Sequence, residues 1–174
     1  MIGPHKRILV TGGAGFIGSH LVETLRLDGC EAVVLDDLSM GKREKVPSTV
    51  EFLEGDVRNA DTVKKAVAGC DAAIHLAARV SVRASVDSFV DDASVNVLGT
   101  LNVLEACAES GVTKFVYASS MAVYADSPDA TPVTEEYPTV PTSPYGIGKL
   151  ASERYVLDIC PRIGVEPVVL RFFN

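Results

Sequence analysis

The 174 residues, 47% of them hydrophobic, suffice for one sizeable core and read most simply as one domain, residues 1–174. The formal charge of −7 comes without any basic stripe, which argues against a nucleic-acid partner, and no uncharged apolar run approaches a membrane span. Residues 1–10 are too short and too charged for a signal peptide, and neither the spacing of Cys30, Cys70, Cys107 and Cys160 nor the scattered histidines at 5, 20 and 75 suggest a metal site. Buried free thiols in a cytoplasmic protein are the expectation.

Residues 7–10 (RILV) read as a short buried strand, and Phe16–Leu27 as the helix that follows. The turn between them, TGGAGFIG at 11–18, puts Gly12, Gly15 and Gly18 in the strand–turn–helix context of a dinucleotide site. Gly12 would allow the tight turn, Gly15 a close backbone approach to a pyrophosphate, and Gly18 tight packing of helix on strand. The helix start at Phe16 and Ile17 would offer free N–H groups and a partial positive charge to the phosphates. The spacing is GxxGxxG, and a glycine-rich turn without a ligand is the alternative. Residues 31–35 form the second strand, ending at Asp36, 18 residues beyond Gly18. A carboxylate there can accept hydrogen bonds from both hydroxyls of an adenosine ribose and would repel a 2′-phosphate, so NAD is expected rather than NADP. Asp37 could share that role. A strand-ending aspartate that merely caps a turn is the plainer alternative.

Residues 50–54 give a third strand, 61–67 a short helix and 72–76 a fourth strand. A long helix is expected from about 91 to 110, with apolar residues at 95, 98, 101, 104 and 107–108. A fifth strand at 114–119, a helix at 144–160 and a sixth strand at 166–170 complete the alternation. Such alternation implies a parallel sheet covered on both faces, a doubly wound, three-layer α/β/α sheet of the Rossmann type. The longest irregular segment, residues 126–143, follows the carboxyl end of a strand, where open α/β sheets bind ligands.

Tyr145 and Lys149 are four residues apart on the 144–160 helix and share a face. A free tyrosine is a poor base at neutral pH, but a nearby ammonium favours the phenolate and should lower its pKa. A tyrosine so placed could take a proton from an alcohol while hydride leaves the same carbon. Ser120 could hydrogen-bond the same oxygen. Taken alone, the YxxxK spacing also fits a solvated helix face.

Together these residues resemble the extended short-chain dehydrogenase/reductase superfamily, in its NAD-dependent sugar-nucleotide epimerase/dehydratase branch. The resemblance runs over essentially the whole chain. It passes through TGGAGFIGSH, LDDLS at 35–39, GDV at 55–57, HLAA at 75–78, NVLGT at 96–100, SSMAVY at 119–124, YGIGK at 145–149 and RFFN at 171–174. It implies that Asp56 and Val57 meet the adenine, and that Leu76, Ala77 and Ala78 meet the cofactor backbone. It further implies that Asn96 supports the site through buried hydrogen bonds, that Phe173 lies near the nicotinamide, and that Ser120 and Asn174 meet the sugar nucleotide. Dehydratases of the branch carry acidic residues directly after the serine; here Met121 and Ala122 stand there. The resemblance therefore implies a 4-epimerase of the UDP-glucose/UDP-galactose type, with the sugar oxidised at C4 and reduced again on its other face. It also implies a homodimer built on the 91–110 and 144–160 helices. Ala125 departs from the family's usual glycine. The family continues well past RFFN into a substrate domain, so a cofactor-binding part with the substrate domain missing is expected. A non-catalytic NAD-binding module and a sugar-nucleotide reductase or dehydratase remain the alternatives.

Overall fold

The structure, a computed structural model, describes residues 6–126 and 132–173. Its elements alternate as the sequence requires: β1 (Arg7–Thr11), α1 (Phe16–Leu27), β2 (Glu31–Asp36), β3 (Glu51–Glu54), α2 (Ala60–Val67), β4 (Ala72–His75), α3 (Val82–Asp87), α4 (Phe89–Ala93), α5 (Gly99–Ser110), β5 (Lys114–Ser120), α6 (Pro144–Arg162) and β6 (Glu166–Phe172). The six strands pair in parallel, in the order β3-β2-β1-β4-β5-β6. The winding direction reverses between β1 and β4, and a doubly wound sheet binds its ligand at that switch point. Thr11 is level with Leu35 on one side and His75 on the other. The carboxyl ends of the three central strands therefore open at the same height.

Burial on both faces explains why the central strands are apolar runs rather than alternating ones. Leu9, Val33, Leu35, Phe115 and Tyr117 face a core closed by Val63, Val103, Cys107 and Val156 of α2, α5 and α6. Ile8, Val10, Val34 and Ile74 face the opposite core, closed by Val22 and Leu25 of α1. The four cysteines are buried, as expected.

Two helical features differ from the expectation. The long helix begins at Phe89, and between α4 and α5 it passes through one π-helical turn, Ser94–Leu98. The short α3 has no counterpart in the sequence reading, because six residues are too few to show a period. It starts where the Ser81 hydroxyl accepts the Ala84 N–H at 3.1 Å. The start of α6 is strongly specified: Ser143 Oγ accepts the Gly146 N–H at 3.1 Å, and Pro144 occupies the first turn, where its missing N–H costs nothing.

Candidate active site

A cleft of about 980 Å³ runs across the carboxyl ends of the strands, from the glycine turn to the start of α6. At the turn, Gly12 has φ +71°, and a Cβ there would stand 2.7 Å from the Ala77 nitrogen. A Cβ on Gly18 would strike the Gly12 carbonyl oxygen. Gly12 thus makes the tight turn expected of it, and Gly18 lets the helix close on that turn. Gly15 is the N-cap of α1, with no side-chain cap, and Phe16 and Ile17 are exposed at the first turn. The leading N–H groups of α1 consequently face the cleft without a side-chain acceptor. All five residues line the cleft.

Asp36 lines it too, and it is also a clamp. Its two oxygens accept the Ala14 and Leu38 N–H groups, each at 2.9 Å, so the plainer reading of a turn-capping aspartate holds for a residue that also lines the cleft. Leu38 is held at φ 58°, a left-handed conformation unusual for a branched residue and fixed here by that bond. Gly41 packs so closely that a Cβ would lie 2.9 Å from Asp36 Oδ1, and Lys42 N–H bonds the Ala14 carbonyl at 3.1 Å. Asp37 is exposed and holds both the N–H and the hydroxyl of Ser39. Further along, the Arg58 guanidinium bonds Asp56 and holds its carboxyl below the ordinary range. Arg58 also reaches Asp91 at 2.9 Å. Val57 is buried against Gly99, and its carbonyl accepts from Asn102 at 2.9 Å. Leu76, Ala77 and Ala78 line the cleft beside them.

At the other end, Ser120 closes β5 and its Oγ accepts the Ala122 N–H at 3.2 Å, heading a single 3-10 turn, Met121–Val123. A Cβ on Gly146 would strike the Ala122 carbonyl oxygen, so the glycine after Tyr145 is what lets α6 close on that turn. Ser120, Tyr145 and Lys149 meet there. Lys149 is fully enclosed; its Nζ donates to the Ala118 carbonyl at 2.9 Å and lies 5.9 Å from the Tyr145 ring centre. Burial pulls its pKa down to about 8, while Asp92 and Glu153 act the other way. The expectation of a lowered Tyr145 pKa is not met. Burial raises it and Asp92 adds to the rise, against a hydrogen bond from Ser120. Desolvation of a 7%-exposed phenol outweighs an ammonium that is aimed at a carbonyl.

Two described sequence candidates, Asn96 and Phe173, lie off the cleft. Asn96 is buried behind the cleft; its side chain accepts from Arg79 N–H and donates to the Arg79 carbonyl, both at 3.0 Å, the supporting place the resemblance gave it. Phe173 packs against Tyr124, and Phe172 lines the cleft in its place. Asn174 is outside the described residues.

Sequence reasoning missed the groups beneath the pair. Glu153, 1% exposed, receives Arg171 at 2.8 Å and the Ser119 hydroxyl. Arg171 also donates to the Tyr124 hydroxyl at 2.9 Å, tying β6 to the segment after the 3-10 turn. Asp92 is buried on α4 with neither oxygen hydrogen-bonded among the described residues, and burial raises its pKa. Glu153 lies one turn beyond Lys149, so the i,i+4 spacing was a usable signal for it; Asp92 gave none. A second, open hollow of about 810 Å³ beside Glu31, Thr49 and Glu51 holds none of these residues. No group of three or more His, Cys, Asp or Glu is placed to hold a metal among the described residues, and no described helix is long and apolar enough to cross a membrane.

Comparison with known proteins agrees with this geometry. The UDP-glucose 4-epimerase of Azospirillum brasilense is 41% identical over 170 residues, which is 97% of this chain and 49% of that one. That of Mycolicibacterium smegmatis is 45% identical over 156 residues, 86% of this chain and 50% of that one. Among solved structures, the Thermus thermophilus UDP-glucose 4-epimerase complex with NAD superposes with a TM-score of 0.90 at 45% identity, covering 95% of this chain and 54% of that one. The Thermotoga maritima UDP-glucose 4-epimerase with UDP-glucose gives 0.92 at 36% identity, over 97% and 55%. The chain thus spans about half the length of these relatives. Residues 8–174 match the NAD dependent epimerase/dehydratase family, and the chain belongs to that family.

Proposed function

We propose that this chain carries the NAD site and the proton-handling residues of a 4-epimerase that interconverts UDP-glucose and UDP-galactose. The observation that carries the reading is that one cleft begins at an uncapped glycine-turn helix and ends at Ser120, Tyr145 and Lys149. The residues fit NAD: the turn at Gly12, Gly15 and Gly18 is a cradle that side chains would fill, and Asp36 presents a fixed carboxylate. On this reading Phe16 and Ile17 hold the pyrophosphate through their N–H groups, Asp36 and Asp37 the ribose, Asp56 and Val57 the adenine, and Leu76 to Ala78 the backbone of the cofactor. Bound there, NAD supplies a reversible hydride acceptor.

The chain's own residues do the rest. Tyr145 takes the proton of the sugar 4-hydroxyl, Ser120 hydrogen-bonds the same oxygen, and the Lys149 ammonium stabilises the phenolate as it forms. Burial works against the Tyr145 phenolate, and the positive charge of oxidised nicotinamide would favour it. Met121 and Ala122 line the cleft where an elimination would need an acid and a base, which favours an epimerase over a dehydratase. On this reading Phe172, which lines the cleft, belongs to the nicotinamide end and Asn174 to the sugar end.

We further propose that 1–174 forms a single NAD-binding domain, working in the cytoplasm. It would form a homodimer through α4–α5 and α6, where Val90, Leu98 and Ile147 expose apolar surface. Sugar-nucleotide binding would draw on a longer chain, so these 174 residues alone should bind NAD with little turnover. The test is a version extended past Asn174, assayed for conversion of UDP-glucose to UDP-galactose. Tyr145→Phe should cut its rate about a hundredfold or more. Full activity in that variant would remove Tyr145 from the mechanism.

A further inference from the structure

A buried hydrogen-bond chain crosses the sheet directly beneath the cleft, and its direction follows from counting hydrogens. The Ala77 N–H donates to Thr11 Oγ1 at 3.2 Å. Thr11 Oγ1 is 2.7 Å from His75 Nδ1, and His75 Nε2 is 3.0 Å from Thr100 Oγ1. Thr100 Oγ1 donates to the Asn96 carbonyl at 2.7 Å, and a carbonyl can only accept. The single hydroxyl hydrogen of Thr100 is therefore spent, so Thr100 must accept from His75. His75 then carries its proton on Nε2, and Nδ1 accepts the hydroxyl of Thr11.

Both ends of this chain hold parts of the cleft. One end fixes Ala77, whose backbone packs against Gly12 of the glycine turn. The other fixes Asn96, inside the π-helical turn, a distortion that tends to mark functional sites. The Asn96 carbonyl also accepts the Ser152 hydroxyl of α6 at 2.8 Å, one turn from Lys149, and its side chain clamps the Arg79 backbone. His75 is 1% exposed and stacks at 5.9 Å on Tyr117, whose ring also faces Lys149. Burial and the Lys149 charge together pull its pKa down to about 3, so it stays neutral through the working range.

We propose that His75 is a positioning residue: as the neutral Nε2–H tautomer it locks the loop after β4 to the π-helical turn, and so holds the dinucleotide end and the Tyr145–Lys149 end of the cleft in one register. The role rests on the NAD reading above; the hydrogen-bond chain does not.

The test uses the 174-residue chain. Nitrogen-15 NMR of His75 should show one tautomer, protonated at Nε2 and unchanged between about pH 5 and pH 8. A proton on Nδ1, or a titration near the ordinary value of 6.5, overturns the chain. His75→Gln keeps a donor toward Thr100 and loses the acceptor for Thr11; His75→Asn does the reverse. Each variant, shown folded by circular dichroism, should bind NAD about tenfold more weakly by calorimetry. A folded variant that binds NAD as tightly as the unaltered chain makes the network merely structural and defeats the proposal. Should both variants fail to fold, Thr11→Val, which keeps the shape and removes the hydroxyl, carries the same expectation. If the unaltered chain itself does not bind NAD, the cofactor reading fails and the positioning role falls with it, while the tautomer still decides the bonds.

Discussion

Replacing Arg171 by methionine would remove the cation that faces a carboxylate only 1% exposed. Glu153 would keep the Ser119 hydroxyl as its partner and lose three guanidinium contacts, at 2.8, 3.0 and 3.3 Å. Breaking a buried pair from one side costs about 3–5 kcal/mol, because the remaining charge is stranded. Arg171 is itself 20% exposed, so the lower end of that range applies, about 3 kcal/mol. That is a large share of the roughly 5–15 kcal/mol that holds a domain of ordinary stability. Urea unfolding followed by circular dichroism reads the loss directly as a shifted midpoint at unchanged slope. The double variant Arg171→Met with Glu153→Leu should recover most of it, since an apolar pair of similar volume is often neutral in such a place. A single Arg171→Met costing under about 1 kcal/mol would refute the reasoning. So would a double variant no more stable than the single one.

Acid should destabilise the fold through His75. Its folded pKa of about 3 lies below the ordinary 6.5, so between those values the unfolded chain binds a proton that the folded chain refuses. Stability is then lost as pH falls, by up to about 1.4 kcal/mol per unit, and urea midpoints of the His75→Gln chain should show a shallower pH slope than the unaltered one. Gly18→Ala should lower stability and abolish NAD binding, because its methyl meets the Gly12 carbonyl in the turn that forms the cradle; calorimetry and urea unfolding check both. Light scattering at micromolar concentration should report a dimer, and Leu98→Glu with Ile147→Glu should make it monomeric; a strictly monomeric unaltered chain would count against the proposed contact.

Much of this was legible because local signals and global fold agree. Apolar runs such as RILVT and EAVVLD are strands buried on both faces, and TGGAGFIG could be read because turn, strand and helix each left a mark. Tyr145 and Lys149 were readable from one helical spacing. The buried polar layer was not. Thr11 and His75 are 64 residues apart, His75 and Thr100 are 25 apart, and Glu153 and Arg171 sit on separate elements, so no local period links any of them. The direction of the Tyr145 pKa shift was missed for a related reason: spacing shows that an ammonium is near, whereas desolvation depends on how completely α6 closes over the ring. Phe172 and Phe173 exchanged places because a strand's side chains alternate, and β6 runs two residues further than its apolar run suggested.

The most direct test of the central claim is calorimetric titration of the 174-residue chain with NAD and with NADP. Asp36, fixed by the Ala14 and Leu38 N–H groups and crowded by Gly41, should accept ribose hydroxyls and reject a 2′-phosphate. NAD should bind with one site per chain, at least about tenfold more tightly than NADP. Failure to bind NAD, or equal or tighter binding of NADP, would contradict the account.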